Sequence, residues 1–342
     1  MNAGKDATLL QVDDVSVSYG NGDKQVLAVS HASFSLKTGD IVGVAGESGS
    51  GKSTLCTALI RSLPANARVS GRIMFGGRSL LDLGPAQMRE VRGQEITMIL
   101  QNPMTALDPL FTIGDQIVEV LQKQKPRPAG KLLDRAIELL KRVHLTAPEL
   151  RVTQYPHQLS GGMKQRVLIA MATACSPRLL IADEPTTALD ATIQEEVLLL
   201  FRELRDRLGT AFLLVTHDLA AIRRTCDRTI IMYAGRIVEE GPTTEVFSTP
   251  RHPYTQALLA SLPHIEDDEV VMSSIPGQVP NLADLGPGCA FADRCTQVMD
   301  TCLTRQPAET WYNPAHRVFC LRYEAQETTT FDAAALDTKV MP

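Results

Sequence analysis

Aromatic side chains are scarce in this chain of 342 residues: one Trp, six Tyr and nine Phe make up 5% of it. Aliphatic residues must therefore carry the core, and a hydrophobic content of 44% suffices for one full domain and an appended unit. Charge of neither sign dominates. Lys and Arg number 34 against 39 Asp and Glu, a net charge of -5 that gives no reason to expect nucleic acid as the main partner. Long apolar runs are missing too: no stretch approaches the ~18 residues needed to span a bilayer. Met1–Asp6 lacks the apolar core of a secretory leader. These absences predict an intracellular chain whose membrane role must come through a partner. There is no internal repeat.

Cysteine is thin over most of the length. Cys56, Cys175 and Cys226 sit singly in apolar or helical segments, as small buried hydrophobes do. The other four, Cys289, Cys295, Cys302 and Cys320, crowd into one C-terminal stretch with gaps of five, six and seventeen residues. In a reducing compartment such a cluster points to a metal before disulfides. The tight C-x2-4-C pair of structural zinc sites is absent. Four thiolates on a loop-rich scaffold suit either Zn2+ or an iron–sulfur cluster. His316, near the fourth cysteine, reads as a structural residue.

What is present begins with alternation. Leu10-Val12, Val15-Val17-Tyr19 and Phe34-Leu36 read as strands, broken by turns at Gly20–Asp23 and Lys37–Asp40. Ile41–Ala45 is short and almost wholly apolar, as in a buried parallel strand. A helix is predicted from Ser53 to Leu63, stopped by Pro64. Between Gln101 and Leu159 the pattern turns helical: Ile113, Ile117, Val120 and Leu121 share one face, and Leu132, Leu133, Ile137, Leu140 and Val143 another, parted at Lys125–Pro128. Leu179–Ala182 and Ala211–Val215 are further buried strands, with a helix over Thr192–Leu208 between them. Such alternation predicts an α/β core with a mainly parallel sheet and a helical insertion. After Gly241-Pro242 the pattern weakens, and Pro and Gly accumulate over Pro276–Pro280 and Gly286–Gly288. We place the core at residues 8–250, with its helical part at about 102–175. A loop-rich unit follows over 251–325, and a polar, disordered tail over 326–342.

Three stretches carry chemistry. Gly46-Glu47-Ser48-Gly49-Ser50-Gly51-Lys52-Ser53 fits G-x-x-x-x-G-K-[ST] between a strand and a helix. Its glycines let backbone N–H groups curl around phosphates, and the following helix adds its positive end. Lys52 would reach the β- and γ-phosphates, and Ser53 would ligate Mg2+. Asp183-Glu184 ends a buried strand: Asp183 would hold Mg2+ through water and Glu184 would polarise the attacking water as general base. Alone, an acidic pair is a solvated strand end, but paired with the phosphate loop it becomes a catalytic candidate. Leu159-Ser160-Gly161-Gly162-Met163-Lys164-Gln165-Arg166 is a turn opening into a helix, a natural anion site.

The phosphate loop, Gln101, Leu159–Met163, Asp183-Glu184, Ala188-Leu189-Asp190 and His217 follow the order seen in ATP-binding-cassette (ABC) ATPases, a resemblance covering roughly residues 8–260. It implies a P-loop NTPase fold: a RecA-like parallel sheet, an N-terminal antiparallel β subdomain, a helical insertion and a C-terminal extension. Gln101 then resembles the Q-loop glutamine, which senses Mg2+ and touches the transmembrane partner. Ser160, Gly161, Gly162 and Met163 resemble the signature that serves ATP bound by the opposite subunit. Asp190 resembles the D-loop aspartate at the dimer interface, and His217 the switch histidine at the γ-phosphate. Tyr19 resembles the aromatic that stacks on adenine, and Thr54 completes the ATP-binding set begun at Gly46.

Met163 stands where Gln is usual, as it often does in peptide-importer ATPases. Gln154–Gln158, Pro250–Thr255, Ile275–Pro280 and Gly288–Cys295 likewise resemble the oligopeptide/dipeptide/nickel importer ATPases, whose extension carries this cysteine pattern. That resemblance favours a 4Fe-4S cluster at the four cysteines, with Zn2+ or no metal as alternatives. It also implies ATP hydrolysis coupled to peptide uptake at the cytoplasmic face of the inner membrane. The implied partners are a second, similar ATPase, two permeases and an extracytoplasmic solute-binding protein. Nickel, opines or another small solute are alternative cargoes. A soluble ABC ATPase acting on DNA or ribosomes is the alternative class, but such chains carry two cassettes or long coiled-coil insertions, absent here.

Overall fold

In a computed structural model of the chain, residues 7–20, 25–100, 106–124, 131–187, 189–262, 264–266, 269–271 and 274–324 are described. Strands β1 (Thr8–Tyr19) and β2 (Val26–Lys37) pair antiparallel along nearly their whole length, and β3 (Ile41–Ala45) leaves them for a second sheet. β4 (Ala67–Phe75) and β5 (Arg78–Ser79) complete the first sheet in the order β2-β1-β4-β5. The second sheet contains β6 (Ile96–Ile99), β7 (Leu179–Asp183), β8 (Ala211–Val215), β9 (Arg228–Tyr233) and β10 (Arg236–Pro242). A small hairpin of β11 (His264–Glu266) and β12 (Glu269–Val271) precedes β13 (Thr310–Asn313) and β14 (His316–Val318). The second sheet runs β13-β14-β10-β9-β3-β8-β7-β6.

Its centre is parallel: β3 lies between β8 and β9, and β7 between β6 and β8. All five residues of β3, β7 and β8 are buried. That is why these segments read as apolar runs without alternation. The parallel arrangement brings the carboxyl ends of β3, β7 and β8 together at one edge, where ligands bind in open α/β sheets.

Helix α1 (Lys52–Leu59) follows β3, and α2 (Pro85–Val91) follows β5. α1 ends four residues before the expected Leu63. Arg61 turns left-handed at φ 50°, and the N–H groups of Arg61 and Ser62 return to Ala58 O (2.9 Å) and Thr57 O (2.8 Å), closing the helix end. The insertion consists mainly of α3 (Ile113–Lys123), α4 (Leu132–Arg142) and α5 (Gly161–Thr173). Thr112 and Asp115 start α3 with a reciprocal capping box. Ile113, Ile117, Leu121, Leu140 and Val143 bury together as their spacing requires, whereas Leu133, expected on the same face, is 48% exposed. Then come α6 (Ala191–Leu208), α7 (Leu219–Thr225), α8 (Thr243–Ser248) and α9 (Pro253–Ala260). No helix among the described residues is long and apolar enough to cross a membrane.

After α9 the chain returns to the main sheet through β14, which pairs with β10. A fully buried carboxylate, Glu239, holds this junction. Its oxygens accept the N–H of Arg251 (2.7 Å), the N–H of His252 (2.9 Å) and Nε2 of buried His316 (2.8 Å). His316 thus has the structural role expected of it. Arg317 adds a second buried ion pair to Glu240 (2.9 Å).

His252 caps α9: its Nδ1 accepts the N–H of Tyr254 at 3.0 Å. Burial lowers its pKa from the usual 6.5 to about 4, so the folded chain keeps it neutral. Between those values the unfolded chain binds the extra proton, so stability is lost as pH falls from about 6.5 through 4, by on the order of 3 kcal/mol in total. Urea midpoints for the wild type should fall more steeply across that window than those of His252→Asn, which keeps a capping acceptor but cannot titrate. Parallel slopes would count against a neutral, buried His252.

Candidate functional site

The loop 46–53 leaves the carboxyl end of β3 and enters α1. At Gly46, with φ +154°, an added Cβ would lie 2.1 Å from the backbone oxygen of Met232, so no other residue fits. Lys52 is 6% exposed, and its ammonium donates to Gly46 O (2.8 Å), Glu47 O (2.8 Å) and Ser50 Oγ (3.3 Å). The loop therefore curls around a cation at the point where phosphate charge would be met. Burial pulls the Lys52 pKa below its usual value, while Glu184 and Asp183 pull it back. Ser53 and Thr54 lie in the first turn of α1, where backbone N–H groups are unpaired and the dipole favours an anion.

Asp183 ends β7 opposite Val215 of β8 and is 4% exposed. Burial raises its pKa, and a hydrogen bond from Ser53 and the charge of Lys52 oppose that rise. Its Oδ1 is buried without a protein partner. An orphaned carboxylate oxygen beside Ser53 and Lys52 is costly unless something ligates it. The donor set of Asp183 and Ser53 fits Mg2+.

Glu184 follows with φ 49°, a left-handed backbone in a non-glycine residue of the kind that concentrates at functional sites. Its N–H donates to Val215 O (2.7 Å), which aims the side chain away from the strand. The carboxylate then lies between Nδ1 of exposed His217 (3.1 Å) and the hydroxyl of Thr187 (2.9 Å). Glu184 and His217, 33 residues apart, meet because β7 and β8 are parallel neighbours.

The other sequence-derived residues lie elsewhere. Tyr19 ends β1 and packs partly buried against the core shared by the two sheets. Ser160 caps α5, its Oγ accepting the N–H of Met163 at 3.3 Å. Gly162 lies against α6: a Cβ there would stand 2.7 Å from Ile193 Cγ2. Asp190 caps α6 by accepting the N–H of Ile193 at 3.0 Å, so Ile193 joins the two segments. Gln101 and Ala188 lie outside the described residues.

Cys289, Cys295, Cys302 and Cys320 all line one cavity of about 20 Å³, closed by Phe291 and Leu321. Among the described residues, however, no three His, Cys, Asp or Glu side chains stand close enough to hold a metal ion. The expected metal therefore lacks an ion-sized ligand set. Burial raises the thiol pKa of Cys289 and Cys295, and that of Cys320 to about 11, so the thiols stay protonated unless a cation joins them.

Sequence reasoning passed over two features. Glu47 is gripped from outside its loop by Tyr254 and Arg294, residues that were legible only as parts of family-like segments. A groove of about 480 Å³ also runs between β6 and helices α3 and α5, lined by Arg92, Met98, Leu100, Val120, Leu168 and Met171. Leu100 on this groove is 56% exposed, and Leu110 and Phe111, which precede α3 in sequence, are 79% and 53% exposed. A groove with an exposed leucine on its wall is a candidate contact area.

Comparison with known proteins agrees with this arrangement. Residues 29–187 match the ABC transporter family, and residues 238–302 match the oligopeptide/dipeptide transporter C-terminal region. A probable peptide ABC transporter ATP-binding protein of Sinorhizobium fredii is 45% identical over 317 residues, 92% of this chain and 95% of that protein. The oligopeptide transport ATP-binding protein of Escherichia coli is 42% identical over 301 residues, 88% of this chain and 89% of that protein. Among solved structures, a dimeric ATP-binding cassette in a post-hydrolysis state bound to ADP and Pi superposes with a TM-score of 0.61. It is 30% identical, over 69% of this chain and 99% of that one. With its phosphate loop, acidic pair and paired sheets placed as described, the chain belongs to the ABC transporter ATPases that carry the oligopeptide/dipeptide transporter C-terminal region.

Proposed function

We propose that this chain is the ATP-hydrolysing subunit of a peptide importer. The observation that carries the reading is the group of Lys52, Asp183 and Glu184: a buried ammonium inside a phosphate loop, an orphaned carboxylate oxygen, and a second carboxylate held by His217. Lys52 would exchange its bonds to Gly46 O and Glu47 O for β- and γ-phosphate oxygens, while amides of Ser48–Thr54 hold the phosphate chain. Tyr19 would stack on the adenine. Asp183 and Ser53, with Gln101, would hold Mg2+, whose charge offsets that developing on the phosphates. Glu184 would accept the proton of the attacking water, and His217, hydrogen-bonded to it, would orient it and face the γ-phosphate.

The reading requires two ATPase subunits. Ser160–Met163 end the amino terminus of α5, a site for an anion brought by another chain, and Asp190 adjoins it through Ile193. We assign these residues to ATP held by a second ABC ATPase, and the phosphate loop to this chain's own. The groove at Leu100, the residue preceding Gln101 in sequence, would receive a membrane permease, placing the subunit at the cytoplasmic face of the inner membrane. A solute-binding protein would deliver the cargo. Peptide as cargo rests on the relatives' names and on the C-terminal region they share. The unit boundaries proposed are 8–250 for the cassette and 251–325 for the extension.

A 4Fe-4S cluster remains our proposal for the four cysteines. Its support is the one cavity that the four thiols share, and the lack of the tight C-x2-4-C pair that structural zinc sites use.

Three measurements check these assignments. Glu184→Gln in the assembled transporter should lose on the order of 100-fold or more of its hydrolysis while still binding ATP; wild-type turnover would remove Glu184 as the base. Leu100→Glu should abolish co-purification with the permeases and leave ATP binding of the chain intact, whereas unchanged co-purification would move the docking site elsewhere. Anaerobically purified wild type should contain iron and acid-labile sulfide that Cys295→Ser loses, and zinc-loaded or metal-free wild type would end the cluster proposal.

A further inference from the structure

The C-terminal extension reaches into the phosphate loop. Arg294, from the turn before Cys295, is only 5% exposed, and its guanidinium forms a bidentate ion pair with Glu47: Nη1 to Oε2 at 2.8 Å and Nη2 to Oε1 at 3.0 Å. A guanidinium has five N–H donors, and the other three are used as well. Nε donates to Pro276 O (2.8 Å), Nη1 to the Tyr233 hydroxyl (3.3 Å) and Nη2 to Ile275 O (3.3 Å). From the other side, the Tyr254 hydroxyl accepts the backbone N–H of Glu47 at 2.9 Å. Tyr233, Tyr254 and Phe291 pack ring to ring with centroids 4.6 to 5.3 Å apart, fixing both grips. Side chain and backbone of Glu47 are therefore held independently.

We infer that Arg294 and Tyr254 are positioning residues for ATP binding, and that segments 250–255, 275–280 and 288–295 form one clamp on the second residue of the phosphate loop. This inference rests on reading that loop as the ATP site. A loop that presents its amides to a ligand can spend few of them on its own shape (here Ser50 N–H donates to Glu47 O at 3.2 Å), so further restraint must come from outside. Fixing Glu47 at the loop's entry pre-orders the amides that follow, so less ordering entropy is lost when ATP binds. Arg294 also neutralises a carboxylate one residue from Ser48, which would otherwise repel the phosphates. The partner cannot be Lys, which has three donors and no fork. The clamp acts on binding and touches no reacting atom, so its loss should appear in KM.

The test is a set of substitutions in the full-length chain within its transporter complex, with ATP hydrolysis followed against ATP concentration. Arg294→Gln and Glu47→Gln should each raise KM for ATP about tenfold and leave kcat within about twofold. In the Glu47→Gln background, adding Arg294→Gln should do nothing more, because the pair is already broken. Tyr254→Phe keeps the aromatic packing, so it remains informative if loss of Arg294 disturbs folding; it should raise KM severalfold. Wild-type KM in folded Arg294→Gln and Tyr254→Phe, or additive losses in the double variant, would overturn the clamp. Lys52→Ala separates the two readings. If it still binds ATP, the site itself is misassigned; if it loses ATP while the clamp variants keep wild-type KM, only the clamp fails.

Discussion

The ion pair between Arg294 and Glu47 stands at the meeting of two demands on this chain. A phosphate loop must keep its amides free for a ligand, so it cannot be stiffened by the hydrogen bonds that stiffen a helix or a strand. Here it is held from inside by the Lys52 ammonium and from outside by a guanidinium with all five donors used. On the proposed reading, phosphate would release the inner grip and leave the outer one in place. The residues after 250 are therefore more than an appendage on the cassette. They return to its sheet through β14, share the buried carboxylate of Glu239, and place Arg294 against the phosphate loop.

The acidic side of the site follows a second constraint. A parallel sheet brings the ends of β7 and β8 together, and that alone joins Glu184 to His217. Asp183 is buried where its charge is costly, with one oxygen unpaired, and Glu184 is turned outward by a left-handed backbone. On the proposed reading, burial would hold one carboxylate for a cation, and the left-handed backbone would present the other to water. Neighbouring residues acquire different roles through environment, without any change in chemical type.

Much of this was legible in the sequence. The strand at Ile41–Ala45, the phosphate loop, the acidic pair and the strand before His217 follow local rules of hydrophobic run and glycine spacing, and they lie where those rules place them. The helix expected to reach Leu63 stopped at Leu59, because a left-handed Arg61 closes it and sends its guanidinium to Leu80 O. Leu133 fits the helical period yet faces solvent, since period alone does not say which turn meets a neighbour. Glu47 was legible as part of a motif but not as the target of Arg294, 247 residues away. No spacing rule reports such a contact. It arises from the route of the chain after α9, which the cysteine and proline pattern marks as irregular without giving its course.

The central claim is that the C-terminal extension orders the phosphate loop before ATP arrives. Amide hydrogen exchange in the nucleotide-free, full-length chain tests it directly, comparing wild type with Arg294→Gln. The account predicts faster exchange across residues 47–52, with β3 and β8 unchanged, because only the loop loses its outer restraint. Identical protection of the loop in both proteins would contradict it.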